Sequence, residues 1–88
     1  MVADIEPAGI EAFRAYEDVV LPLLGRHGGR LERRLRTSEG TSEIHLVFFA
    51  DEPGYEAYLA DPDRVQARAL LGEIQLEQRI LTVCDVSP

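Results

Sequence analysis

The pattern of apolar and polar positions predicts a helix in the first third of the chain. From Pro7 onward, apolar residues recur at helical spacing and form one stripe that faces a core. Pro7 suits the first turn of a helix, whereas Pro22 lies inside the pattern and is expected to kink or divide it. Gly28 and Gly29 can supply the left-handed conformation that ends a helix, which places His27 in its last turn.

The period of the pattern changes to two after this helix. Residues 30–37 and 43–50 alternate as strands with a polar turn between them, so the pair predicts a β-hairpin. If residues 30–37 alternate without interruption, their side chains form two rows on opposite faces. One row is Leu31, Arg33 and Leu35, and the other is Glu32, Arg34 and Arg36. Because buried unpaired charge is costly, we expect the second row to meet acids such as Glu43, Glu77 or Asp85.

Three further elements complete the pattern. Residues 2–5 predict a short first strand, and residues 76–86 predict a final strand with both faces at least partly buried. Between them, Asp51 and Pro53 are typical of the start of a helix, and Asp61-Pro62 repeats these residue types. The second helical region is therefore expected to consist of two pieces that meet at this repeat.

The order of elements is then β-α-β-β-α-β in a single domain of residues 1–88. This order predicts an α+β, ferredoxin-like fold, in which a four-stranded antiparallel sheet carries its helices on one face. Apolar residues nevertheless alternate on both sides of the third strand, with Val47 and Phe49 on one side and Ile44, Leu46 and Phe48 on the other. The economical cover for the side without helices is a second copy of the sheet, which gives a homodimeric α/β barrel.

Composition restricts the classes of partner. The formal net charge of -7 argues against nucleic acid, because phosphate binding requires a concentrated positive surface. The chain has no lysine, so Schiff-base chemistry and a phosphate-binding loop are excluded. The single Cys84 argues against a disulfide or a multi-cysteine metal site. Neither a membrane span nor a signal peptide is evident, so we expect a cytoplasmic protein without membrane contact.

Several segments together resemble a known superfamily. They are His27-Gly28-Gly29-Arg30-Leu31-Glu32 after a helix with Tyr16-Glu17, then Glu43-Ile44-His45-Leu46-Val47, Phe49, and Tyr58-Leu59-Ala60-Asp61-Pro62. From about Ile5 to Val83 the chain resembles the dimeric α/β-barrel superfamily, in an uncharacterised branch beside the antibiotic-biosynthesis monooxygenases, the EthD-like proteins and the NIPSNAP domains. The resemblance implies ferredoxin-like subunits that dimerise through their sheets and hold a ligand pocket between sheet and helices. It implies a scaffold rather than one activity, because chemistries in the superfamily differ widely.

The chain departs from the superfamily pattern in two respects. Its first strand is short, and it contains neither tryptophan nor asparagine, which some of the monooxygenase sites use. No catalytic set is therefore carried over from the monooxygenases.

His45 is the leading candidate for chemistry. It shares its strand phase with Val47 and Phe49, so it enters the expected pocket if that phase faces the helices. There the imidazole could act as a general base or polarise a carbonyl. The alternative, which we favour for an isolated histidine, is a structural residue bonded to Glu17, Tyr16 or a backbone carbonyl.

The other candidates each have a structural alternative. Tyr16 and Glu17 would join His45 in a catalytic group, but Glu17 could instead reach solvent or pair with an arginine. Arg33 could bind an anionic ligand or pair with an acid at the strand edge. Phe49 and Tyr58 could line the pocket, although aromatic residues in such positions are usually part of a core.

Two functions remain open from the sequence. The first is a cofactor-independent monooxygenase, isomerase or cyclase that acts on a small aromatic or keto compound. The second is a non-catalytic homodimer that binds a small apolar or aromatic molecule or serves as an assembly module. We favour the second because no convincing acid and base pair is present. We expect no cofactor and no metal, because the two histidines lie on separate elements without HxH or HExxH spacing; the geometric alternative is a metal held by His45 with Glu17 and Glu43.

Overall fold

A computed structural model describes residues 1–87 of the chain. The strands are β1 (Val2–Ile5), β2 (Gly29–Arg36), β3 (Ser42–Phe49) and β4 (Leu76–Arg79). The helices are α1 (Ile10–Val20), α2 (Glu52–Ala60) and α3 (Pro62–Ala67). Short 3-10 segments cover Pro7–Gly9, Leu21–His27 and Arg68–Leu71.

The four strands form one sheet in the order β2-β3-β1-β4, and every neighbouring pair is antiparallel. The predicted α+β class and the four-stranded antiparallel sheet are confirmed, and the arrangement is compatible with a ferredoxin-like fold. Ala3 and Ile5 of β1 are buried against Phe13, Tyr16 and Val20 of α1. The helices therefore cover one side of the sheet, which is called the inner face below, and the opposite side is called the outer face.

The local helix signals in the sequence correspond to real boundaries. The 3-10 segment Leu21–His27 begins next to Pro22 and directly follows α1, so the expected division of the first helix is confirmed. Gly28 has a φ of 72° and ends this segment in the left-handed conformation. The side chain of Asp61 caps α3 by accepting a hydrogen bond from the backbone N–H of Asp63, which separates α3 from α2.

A register shift between Leu31 and Arg33 interrupts β2. Leu31 lies opposite Val47, whereas Arg33 lies opposite Leu46, so one extra residue is accommodated between these pairs. Directly opposed residues of antiparallel strands point to the same face of a sheet. Leu31 therefore shares the inner face with Arg34, and Arg33 lies on the outer face. The uninterrupted alternation that we predicted for this strand is wrong.

The last strand is shorter than its periodicity predicts. β4 ends at Arg79, which lies opposite Val2 in β1, and residues 80–87 have no partner strand within the described part of the chain. Four large apolar side chains of this segment are each more than half exposed, namely Ile80, Leu81, Val83 and Val86. The prediction of a strand over residues 76–86 with both faces partly buried is wrong for the single chain.

Candidate functional site

Two buried polar residues of β3 form the centre of the candidate site. Glu43 and His45 are two positions apart, so both side chains point to the inner face, where α1 covers them. Their side chains are 1% and 2% exposed. The His45 ring stacks near Phe13 of α1, with ring centroids 6.4 Å apart. The sequence places these polar groups inside the apolar layer, where each must find a partner.

Glu43 has three hydrogen-bond donors around its carboxylate. Oε1 accepts from Nε of Arg34 at 2.8 Å and from Nε2 of His45 at 2.8 Å, and Oε2 accepts from Nε of Arg36 at 2.8 Å. Burial alone would raise the pKa of Glu43, but the hydrogen bonds from Arg34, His45 and Arg36 outweigh it and hold the pKa at about 2. Glu43 is therefore a carboxylate throughout the neutral range.

The hydrogen bond to Glu43 fixes the tautomer of His45. Burial lowers the pKa of His45, and the nearby Glu43 opposes that effect only in part. The neutral ring then carries its proton on Nε2, which donates to Glu43, and presents the lone pair of Nδ1 on its other side. Nδ1 faces Oε2 of Glu17 at 3.9 Å.

Glu17 extends from α1 toward the same ring. Its side chain is 5% exposed, and its carboxyl group forms no hydrogen bond within residues 1–87. Burial raises the pKa of Glu17 to about 7, with Arg34 opposing the rise and Glu43 adding to it. Near neutral pH the proton of this carboxyl group is therefore readily exchanged, beside an imidazole lone pair.

The three groups form a buried line of a carboxyl, an imidazole and a carboxylate. At 3.9 Å the Glu17 carboxyl and Nδ1 of His45 face each other beyond hydrogen-bond distance, and the arginines on Glu43 anchor the other end of the line. Two surface clefts, of about 310 and 330 Å³, lie beside β4 and have linings that include Leu76, and neither is lined by this group.

The predicted site residues are brought together only in part. Tyr16 is buried on α1 in the apolar cluster with Ala3, Ile5 and Phe13. Phe49 and Tyr58 meet on the inner face with ring centroids 5.7 Å apart, in a core cluster with Leu23 and Leu24. Arg33 lies opposite Leu46 on the outer face, so the sheet separates it from the two aromatic rings.

Sequence reasoning did not select Glu43 as a site residue. It named Glu43 among three acids that could pair with the arginines of β2, and the register shows that Arg36 lies directly opposite it. The predicted hairpin contained enough information to find this pair. Residues 36 and 43 flank the polar turn, so they are expected to lie opposite each other in the two strands. Glu32 of the same predicted row instead pairs with Arg30 at 3.0 Å on the surface.

A second histidine and carboxylate pair lies at the junction of α2 and α3. Nε2 of His27 is 2.7 Å from Oδ2 of Asp61, and Arg26 contacts the same oxygen at 3.4 Å. The hydrogen bond from His27 is the main cause that lowers the pKa of Asp61. This pair joins the end of the 3-10 segment Leu21–His27 to the start of α3.

Within residues 1–87, no group of three or more histidine, cysteine, aspartate and glutamate side chains is placed to hold a metal ion. The described helices include none that is long and apolar enough to cross a membrane. Comparison of the chain with family models, curated proteins and solved structures gave no match.

Proposed function

We propose that this chain is a non-catalytic assembly module that forms a homodimer through the outer face of its sheet. The observation that carries the proposal is a row of apolar side chains on that face. Ile44, Leu46 and Phe48 of β3 are 40%, 39% and 43% exposed. A contiguous exposed apolar row on a small protein is typical of an interaction surface.

The shape of the subunit supports a partner on this face. The Cα trace measures 38 × 36 × 17 Å, which corresponds to a slab of one sheet and one helix layer. One broad side of the slab is the outer face. Its dimensions accommodate the roughly 800 Å² that each partner buries in an interface of standard size.

The charges of the outer face complement a second copy of the same face. Arg30 and Arg33 lie at one corner, on β2, where the guanidinium of Arg30 is 4.3 Å from the centre of the Phe48 ring. Asp4 and Glu77 oppose each other at the diagonally opposite corner, on β1 and β4. A twofold axis that crosses the apolar row between the corners brings basic against acidic groups in both copies. Two sheets stacked in this way would form the dimeric α/β barrel that the sequence resemblance implies.

The surroundings of His45 support the non-catalytic part of the proposal. A general base must reach the proton that it abstracts, and the His45 side chain is 2% exposed. One of its ring nitrogens is bonded to a carboxylate that is itself held by Arg34 and Arg36. These contacts suit a residue that fixes β2, β3 and α1 relative to one another.

Sedimentation at micromolar concentration tests the proposal. We expect a dimer for the unaltered chain and a monomer for Leu46→Glu, because the carboxylate would be buried in the interface without a partner. Leu59→Glu is the matched control, since Leu59 on α2 is 40% exposed, almost the same fraction as Leu46, but does not lie on the sheet. Circular dichroism establishes that both variants are folded.

A monomeric unaltered chain would overturn the proposed function. So would a dimer that Leu59→Glu dissociates and Leu46→Glu leaves intact, because the interface would then lie on the helical side.

A further inference from the structure

The segment that follows β4 is unusual for an exposed part of a small protein. Residues 80–86, called the tail below, lack a partner strand within residues 1–87, and most of their large side chains are apolar. Ile80, Thr82, Cys84 and Val86 alternate with Leu81, Val83 and Asp85 in the sequence. Alternation with apolar residues in both phases is typical of a strand that is covered on both faces.

We infer that the tail continues β4 and pairs antiparallel with the tail of a second copy, centred on Thr82. The inference rests on the proposed homodimer and adds that the two tails form a second contact between its copies. An unpaired edge strand presents a row of backbone N–H and C=O groups that another strand can bind. The second copy supplies such a strand with the same sequence.

Symmetry limits the registers that two identical tails can adopt. Opposed residues in an antiparallel pair alternate between hydrogen-bonded and non-hydrogen-bonded sites, so a twofold axis must pass between a residue and its own copy. Centring on Thr82 places Arg79 opposite Asp85, Ile80 opposite Cys84, and Leu81 opposite Val83. The basic Arg79 then meets the acidic Asp85, and Ile80, Leu81, Val83 and Cys84 meet one another, while Val86 lies opposite Gln78.

The neighbouring symmetric registers are less favourable. Centring on Leu81 places Asp85 opposite Glu77, which sets two carboxylates side by side. Centring on Val83 places Asp85 opposite Leu81 and leaves Arg79 without an acid. Charge and apolar matching therefore select one register of the three.

A charge exchange tests the register in the full chain. Arg79→Asp and Asp85→Arg each place like charges opposite one another twice in the dimer, and we expect each to raise the dimer Kd at least about tenfold. The double variant Arg79→Asp/Asp85→Arg reverses both pairs, and we expect it to restore the original Kd. Sedimentation equilibrium measures all four proteins.

Cross-linking provides a second test. Oxidation of Ile80→Cys is expected to give a covalent dimer, because residue 80 lies opposite the native Cys84, within the distance that a disulfide can bridge. The unaltered chain is the control, because its two Cys84 residues are four positions apart along the paired tails, about 13 Å. They are therefore too distant to bridge.

The outcomes separate this inference from the proposed function. If Leu46→Glu dissociates the dimer while the charge variants leave its Kd unchanged, the tail pairing is wrong and the proposed function stands. Failure of the double variant to restore the Kd, or a disulfide that forms in the unaltered chain as readily as in Ile80→Cys, would also overturn the register. A monomeric unaltered chain overturns both proposals.

Discussion

Nδ1 of His45 lies 3.9 Å from Oε2 of Glu17, while Nε2 of the same ring lies 2.8 Å from Oε1 of Glu43. One imidazole thus lies between two carboxyl groups whose pKa values differ widely, at about 7 for Glu17 and about 2 for Glu43. The difference arises because Arg34 and Arg36 both donate to Glu43, whereas Glu17 is buried without a hydrogen bond from the described residues. Of the two carboxyl groups, Glu17 therefore titrates near neutral pH, whereas Glu43 stays ionised.

Replacing Glu17 by Gln should change how stability depends on pH. The pKa of Glu17 is raised from 4.5 to about 7 on folding, so its contribution to stability is fully present below pH 4.5 and is lost as the pH rises through 7. The amide of Glu17→Gln does not titrate, so this loss does not occur in the variant. Between pH 4.5 and pH 8 the free energy of unfolding of the variant should therefore rise by about 1–3 kcal/mol relative to that of the unaltered chain. Urea unfolding at pH 5 and pH 8 measures the gain.

The His45 contribution has the opposite sign and cancels in this comparison. Its pKa is lowered from 6.5, so its stabilisation is present above pH 6.5 and is lost as the pH falls through the lower folded value in both proteins. Parallel pH profiles for the two proteins would show that Glu17 titrates in the folded state as it does in the unfolded chain.

Replacing Glu43 by Gln should be among the most destabilising changes of one polar residue. The amide that replaces the carboxylate cannot accept equally from Arg34, Arg36 and His45. Arg34 then keeps only its ion pair with the exposed Asp18, at 3.2 Å. We expect a loss of about 2–4 kcal/mol in the free energy of unfolding. Glu32→Gln is the control, because its ion pair with Arg30 is exposed and should contribute no more than about 0.5 kcal/mol. Equal losses in the two variants would contradict the assignment of Glu43 as the anchor.

Much of the fold could be predicted because its signals are local. The polar turn before Glu43, the proline at position 22 and the Asp61-Pro62 pair each act on their own few residues, and each corresponds to an observed boundary. These signals depend on backbone geometry and capping, which short stretches of sequence determine.

The features that could not be predicted depend on pairing between distant residues. The irregularity between Leu31 and Arg33 is defined only by what lies opposite in β3, and it moves Arg33 away from Phe49 and Tyr58. The strand expected after Arg79 has no partner in the described chain, because β1 begins opposite that residue. For the candidate site, alternation placed His45 on the inner face, but its hydrogen bond to Glu43 required the structure.

A methyl group at Gly54 should destabilise the first turn of α2. A Cβ atom there would collide with the backbone carbonyl oxygen of His27 and would lie 3.0 Å from Oδ1 of Asp51, the side chain that caps the helix. We expect Gly54→Ala to lower the free energy of unfolding by about 2 kcal/mol or more, because a backbone group cannot move aside as a flexible side chain does. Gly25→Ala is the control, since nothing lies within 4 Å of its Cβ position. The test compares the melting temperatures of the two variants. A Gly54→Ala protein that melts at the same temperature as Gly25→Ala would contradict the close packing of α2 on His27.

The two capping aspartates should differ in importance although they occupy equivalent positions. Asp51 accepts one hydrogen bond, from the backbone N–H of Gly54, so Asp51→Ala should cost about 1 kcal/mol, as other N-cap losses do. Asp61 also binds the His27 ring, and Asp61→Ala should lower the melting temperature further because it removes the cap and the tie to the preceding 3-10 segment. The His27 hydrogen bond lowers the Asp61 pKa, so the extra stabilisation is complete above the ordinary value of 3.8 and is lost as the pH falls through the lower folded value. Melting curves at pH 7 and at strongly acidic pH should thus show a difference between the two variants that shrinks in acid. Equal melting temperatures at pH 7 would mean that the His27 contact adds nothing to the cap.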